Sequence, residues 1–442
     1  MDRVLEESAV QHLESLYGRE LVRVQARRLL DELRASPEAI APQELEATVA
    51  ELPERIRAGI EESLGGELVR VLNATGVLLH TNLGRVPLAP TVAWRLAALS
   101  DAYCDLELDL PSGRRGDRNR RAARLLELAT GAEAALVVNN TAAALVLILS
   151  ALARDREVIV SRGELVEIGG SFRIPEILTT SGARLVEVGS TNRTRLADYA
   201  RAIGAETALI LKVYPSNYRI AGFTASVPPA ALAELARRHE LPLVVDEGSG
   251  LLRRHPASEL AGHPSFEQLL SRGSDLVCGS GDKVLGGPQA GLIAGSADLV
   301  GRLHSHPLYR ALRPDRMTFA ALEGALRELL AGRPSALDRL WPDAETHERR
   351  VRSLAERLRA AGADAQVVEI EAYVGGGSAP EKPIPGAGLA VAGGERLARA
   401  LRTGSTPVVG YVRDDRLLLD VRTVDASDDE LLLDAVCAAV GR

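Results

Sequence analysis

Residues 275–291 read DLVCGSGDKVLGGPQAG. A short apolar run ends in Gly279-Ser280-Gly281, Lys283 follows at once, and Gly286-Gly287-Pro288 turns the chain into a second apolar run, AGLIAG (290–295). Runs of this length bounded by glycine turns read as buried strands. In an open α/β sheet, ligands sit outside the carboxyl ends of the strands, so a lysine at that end points into the crevice. The bland alternative is a lysine in a surface loop, and its place just past a buried strand argues against that.

Working outward, the same texture recurs upstream. ALVV (135–138), EVIVS (157–161), RLVEV (184–188), ALILKV (208–213) and PLVVDE (242–247) are further strand candidates, most of them separated by amphipathic helical stretches. That rhythm predicts a mostly parallel sheet covered by helices on both faces. Residues 1 to about 66 have helical spacing instead, with Val22, Ala26, Leu29, Leu30 and Leu33 on one stripe and a second pattern from Gln43 to Leu64. Beyond about residue 335, a charged helix (347–361) precedes extended segments and a closing helix (428–440). The expected organisation is a helical domain over 1–66, a large α/β domain over 67–334 and a small α+β domain over 335–442.

Bulk properties exclude several roles. Cys104, Cys278 and Cys437 lie far apart without metal-ligand spacing, so neither a metal centre nor a disulfide framework is expected. The start, MDRVLEE, lacks the basic and apolar regions of a signal peptide, and the longest apolar stretch (Ala142–Ala153) is too short to span a bilayer. A cytoplasmic protein without membrane partners is expected. The net charge of −7 argues against general polyanion binding, and 3% aromatic residues leave little for base stacking; a folded RNA read by shape remains open.

Two further signals complement Lys283. Asp246 ends the strand of PLVVDEGSG (242–250), where a carboxylate can pair with a protonated pyridine nitrogen. In VVNNTAAAL (137–145), Asn140, Thr141 and Ala142 stand at a strand-to-helix turn, an anion site if its N–H groups are free and plain N-capping if they are not. Ser280 adds a hydroxyl beside it. Together these residues offer anchors for an aldehyde, a ring nitrogen and a phosphate, the needs of pyridoxal 5′-phosphate, with Lys283 as its Schiff-base partner.

LNATGVLLHTNLGRVPLA (72–89), SRGELVEIGGSFRIPEI (161–177), SNYRIAGFT (216–224), SGDKVLGGPQAG (280–291), HPLYRALRPDRMT (306–318), GGGSAP (375–380) and LDVRTV (419–424) resemble the bacterial selenocysteine synthases, L-seryl-tRNA(Sec) selenium transferases of pyridoxal-phosphate fold type I. The resemblance implies that the amino group of serine esterified to tRNA(Sec) displaces Lys283 from the cofactor. Lys283 then takes the Cα proton while Asp246 holds the ring nitrogen. Loss of water leaves a dehydroalanyl group, to which selenium from selenophosphate adds. It also implies that Arg85, Arg310 and Arg313 bind the selenium donor, that Asp282 helps position the donor or leaving group, and that the assembly is built from dimers, a homodecamer in the family. The side chain stacked on the ring is left open among Arg162, Glu164 and Glu167.

By the same resemblance, residues 1–66 bind tRNA. Residues 1–62 carry eight arginines against fourteen acids. However, Arg19, Arg23, Arg27 and Arg34 fall within a roughly 80° arc of one helix, a stripe that could follow phosphates or simply face solvent. Gly410-Tyr411-Val412 stands where the family usually has Gly-Arg-Ile, and the chain starts abruptly beside its relatives. The rival readings are a related lyase acting on a free amino acid or amino-sugar acid phosphate, which usually lacks the N-terminal module, and a tRNA-binding protein without chemistry, which would not need Lys283 and Asp246.

Overall fold

The computed structural model describes residues 7–35, 50–165, 167–168, 172–215, 220, 222–260, 262–376, 378 and 382–441. Parts of the 161–177, 216–224 and 375–380 stretches, and the start of the helical pattern from Gln43, lie outside the described residues. The chain forms two compact units, Met1–Arg70 and Val71–Arg442.

The first unit contains helices α1 (Ser8–Tyr17), α2 (Arg19–Ala35) and α3 (Leu52–Leu64). Apolar residues three and four apart, Val22, Ala26 and Leu29 on α2 and Leu52, Ile56 and Ile60 on α3, bury with Val10 and Leu13 in one small core. Gly65 closes α3 in the left-handed conformation, its N–H reaching the Glu62 carbonyl.

In the second unit, seven strands form the main sheet: β1 (Ala134–Val138), β2 (Glu157–Ser161), β3 (Arg184–Val188), β4 (Thr207–Val213), β5 (Leu243–Asp246), β6 (Leu276–Ser280) and β7 (Gly291–Gly295). Their spatial order is β1-β7-β6-β5-β4-β2-β3. Only β7 runs antiparallel to its neighbours β6 and β1. Along each strand, side chains alternate between two buried layers: Val137, Ile159, Ile210, Val245 and Val277 on one face, and Val138, Val160, Leu211, Val244 and Cys278 on the other. Both faces being covered explains why the strands read as continuous apolar runs. Helix α4 (Thr141–Leu152) is the apolar stretch noted above, buried against the second layer. Truncating a buried leucine here, such as Leu211→Ala, costs about 2–5 kcal/mol.

A five-stranded sheet follows, built from β8 (Ala365–Gly375), β9 (Ile384–Ala392), β10 (Tyr411–Arg413), β11 (Arg416–Leu419) and the early segment Val77–Leu79, which joins β8 in parallel. Leu72–Asn73 likewise pairs with Val408–Val409. The start of the second unit, which the sequence reading assigns to the large α/β domain, is thus woven into the unit's C-terminal part. Inside this region Arg422 and Asp420 form a fully buried pair, and Arg422 also donates to the Ile384 carbonyl at 2.9 Å. Among the described residues no helix is long and apolar enough to cross a membrane.

Candidate active site

The carboxyl ends of β5 and β6 face the same crevice because the strands are parallel neighbours, with Asp246 opposite Cys278. Asp246 is the last residue of β5 and is buried. Burial pushes its carboxyl up to about 7, against the opposing pull of the Lys283 charge. Lys283 stands three residues past β6, and its Nζ donates to the Gly248 carbonyl at 2.8 Å. Burial lowers its pKa, and Asp246 is the largest influence in the other direction. The two groups therefore share one electrostatic environment. Desolvation disfavours both charges, so a cationic ring nitrogen against Asp246 would relieve the carboxylate.

The turn that follows β5, residues 247–250, is held from several sides. Glu247 Oε1 meets His263 Nε2 at 2.6 Å, Ser249 Oγ meets the same nitrogen at 2.7 Å, and Gly250 N donates to Glu247 Oε2 at 2.7 Å. Val284 N donates to the Ser249 carbonyl at 3.0 Å, tying the lysine turn to this loop. Gly250 has φ +76° and sits so close to β6 that a Cβ would lie 1.9 Å from the Ser280 carbonyl oxygen, so only glycine fits. Glu247, Ser249 and His263 were not singled out in the sequence; the visible signal was the acidic pair Asp246-Glu247 itself.

At the neighbouring strand end, Asn140 caps α4 by accepting from Ala143 N at 2.9 Å. N-capping is therefore present, and it leaves the N–H groups of Thr141 and Ala142 in the first turn without intrahelical partners. Thr141 Oγ1 lies 2.6 Å from Ser280 Oγ, which brings this helix N-terminus against the end of β6. A Cβ at Gly291 would lie 2.1 Å from the Asn140 carbonyl oxygen, a second close approach that only glycine permits. Two hydroxyls, two N–H groups without intrahelical partners and a helix dipole together suit a phosphate dianion.

Arg85 Nη1 pairs with Asp282 Oδ2 at 2.5 Å, beside Lys283. Its backbone is held at φ +65°, a strained setting for a non-glycine residue. Arg310 and Arg313 line a different cavity, of about 520 Å³, with Glu107, Arg118, His304 and Tyr309. Arg310 is exposed in the last turn of α5 (Pro307–Leu312), whereas Arg313 is extended just beyond it, since the residue before Pro314 is driven out of the helical region. Arg313 Nη1 lies 3.8 Å from Glu107 Oε1, and Arg118 Nε donates to that oxygen at 2.7 Å. Among the described residues, neither Arg310 nor Arg313 forms an ion pair or hydrogen bond with Arg85, Asp282 or Lys283.

Of the residues weighed for ring stacking, Arg162 pairs with Glu187 at 2.9 Å, and buried Glu164 pairs with Lys212 at 2.5 Å. In the first unit, Arg23 pairs with Glu20 and Arg34 with Asp31, so acids one turn away offset the arginine stripe.

Aldehyde, ring nitrogen and phosphate of one cofactor each find a chemically matched group at these adjoining strand ends, so the residues fit pyridoxal phosphate. With this sheet order they define a fold-type-I pyridoxal-phosphate enzyme. A solved D-glucosaminate-6-phosphate ammonia-lyase has a similar fold, with TM-score 0.59 and 21% identity over 86% of this chain and 98% of its own. The chain belongs to the L-seryl-tRNA selenium transferase family, whose model matches residues 71–425. A second model, for the selenocysteine synthase N-terminal region, matches residues 1–34. The L-seryl-tRNA(Sec) selenium transferase of Hyphomonas neptunium is 44% identical over 97% of this chain and 95% of its own length. Proteins of the same name from Moorella thermoacetica (46% identical, 88% of this chain, 86% of its own) and Geobacter sulfurreducens (42%, 99% and 97%) are similar throughout.

Proposed function

We propose that this chain converts seryl-tRNA(Sec) to selenocysteinyl-tRNA(Sec), with selenophosphate as donor and dehydroalanyl-tRNA as the intermediate. The observation that carries the reading is the placing of buried Asp246 at the end of β5 and half-buried Lys283 just past the end of the adjoining β6, each feeling the other's charge, in a chain whose relatives of that name align over nearly its whole length. Bound pyridoxal phosphate supplies the electron sink that makes the seryl Cα–H acidic.

The chain's own groups supply the rest. Lowering of the Lys283 pKa by burial favours the neutral amine at Nζ, the form able to take the Cα proton. Asp246 keeps a proton at the ring nitrogen, and the Thr141–Ser280 cup fixes the phosphate. Departure of the serine hydroxyl as water, using a proton from the site, leaves a Cα–Cβ double bond. Selenium then bonds to Cβ as the P–Se bond of selenophosphate breaks, water takes up the phosphoryl group to release orthophosphate, and a proton returns to Cα. The substrate is an ester, so no arginine is needed to clamp a carboxylate. Arg85, oriented by Asp282 beside Lys283, and Arg310 and Arg313, which line a separate cavity, are then the guanidinium groups available to take the phosphate-like donor through paired N–H groups. Residues 1–66 bind the tRNA. The working form is a homo-oligomer built from dimers, in the cytoplasm.

The test is to incubate the cofactor-loaded protein with seryl-tRNA(Sec) and selenophosphate and identify the aminoacyl product. Selenocysteinyl-tRNA is expected; turnover of a free amino acid or amino-sugar acid phosphate in its place would move the chain to the lyase reading.

A further inference from the structure

Asn139 sits between the last residue of β1 and the cap of α4, one position before the phosphate cup. Its backbone N–H donates to the Leu312 carbonyl at 3.0 Å. With its amide nitrogen turned toward α5, the side chain donates to the same carbonyl at 2.9 Å and to the Arg313 carbonyl at 3.2 Å. A helix end leaves carbonyls without partners, and here a residue more than 170 positions away supplies the donors. Arg118 Nη1 holds the next carbonyl, that of Pro314, at 3.1 Å. The backbone that carries Arg313 is thereby pinned to the cofactor-phosphate cup. The guanidinium keeps a buried Nε with no hydrogen-bond acceptor among the described residues, a donor suited to an incoming anion.

We infer that Asn139 is a positioning residue that sets Arg313 in register with the cofactor's phosphate, so that the selenium donor is held at a fixed offset from the reacting carbon. This rests on the donor role of Arg313 proposed above. Asn139 touches neither substrate nor reacting atoms; it acts through the carbonyls of residues 312 and 313. Replacing its amide leaves two carbonyls without a side-chain donor and frees the turn to shift. Asn139→Asp is the sharper variant, because a carboxylate of nearly the same shape accepts but cannot donate and is repelled by both carbonyls.

The experiment uses cofactor-loaded protein with seryl-tRNA(Sec), and varies selenophosphate. For Asn139→Ala and Asn139→Asp the donor KM is expected to rise about tenfold or more, while formation of dehydroalanyl-tRNA without donor and retention of cofactor stay within about twofold. In an Arg313→Ala background, Asn139→Ala is expected to add no further change to the donor KM. An unchanged donor KM in both single variants, with Arg313→Ala still impaired, overturns this inference alone. Equal losses in donor KM, dehydroalanyl formation and cofactor retention also overturn it, marking a structural role. If Arg313→Ala leaves the donor KM unchanged, the donor-site reading falls and takes this inference with it. Should Asn139→Ala not fold, the isosteric Asn139→Asp carries the same comparison.

Discussion

Thr141 Oγ1 and Ser280 Oγ, 139 residues apart in sequence, lie 2.6 Å from one another and join the N-terminus of α4 to the strand that leads to Lys283. The phosphate cup and the lysine turn are therefore one piece of structure. Each hydrogen bond to a charged group contributes about 1.5–3 kcal/mol. The double variant Thr141→Val, Ser280→Ala is expected to weaken pyridoxal phosphate binding by about 100-fold or more, read from visible absorbance on titration. An unchanged affinity would place the phosphate elsewhere.

Asp246 predicts a pH dependence. Its carboxyl is raised from 3.8 to about 7 in the cofactor-free protein. An acid with a raised folded pKa holds its proton more tightly when folded. Its contribution to stability is full below about pH 3.8 and is lost as pH rises through about 7. The shift corresponds to about 4 kcal/mol at most. Between pH 5 and 8 the cofactor-free protein is expected to lose stability relative to Asp246→Asn, and loading with cofactor should narrow the difference. Parallel unfolding curves for the two proteins across that range would contradict this.

Glu164 and Lys212 form a buried pair, and Glu164 also accepts from Val213 N at 3.1 Å. Breaking such a pair strands a charge and costs about 3–5 kcal/mol. Glu164→Gln is expected to lower the denaturant midpoint accordingly, and adding Lys212→Met should recover most of the loss. A single variant as stable as the parent would show that the lysine finds another partner or loses its proton at little cost.

Arg85 depends on Asp282 for its orientation. Asp282→Asn is expected to raise the donor KM about five- to tenfold, through loss of a charge-assisted bond, with cofactor affinity retained. An equal fall in cofactor affinity would assign Asp282 to the cofactor instead.

The strands were legible because both sheet faces are covered: EVIVS and RLVEV have their observed bounds, three others differ by one residue at one end, and PLVVDE and DLVCG differ by one residue at both ends. Lys283 and Asp246 were visible for the same reason, as polar residues at the ends of apolar runs. What depends on strand order was not. Lys212 meets Glu164 only because β4 lies beside β2, and His263 reaches Glu247 from a separate loop. No local periodicity encodes either neighbour. The arginine stripe on α2 was read from cations alone, whereas Glu20 and Asp31 lie three residues away and pair with them. The tether from Asn139 to the Arg313 turn was likewise hidden, since it joins two loops distant in sequence.

The lysine is the point on which the reaction turns. Parent protein and Lys283→Ala, each supplied with pyridoxal phosphate, seryl-tRNA(Sec) and selenophosphate, should be compared for aminoacyl product by mass. Selenocysteinyl-tRNA from the parent and unchanged seryl-tRNA from the variant is the predicted result. Selenocysteinyl-tRNA formed by the variant at a rate near the parent's would contradict it.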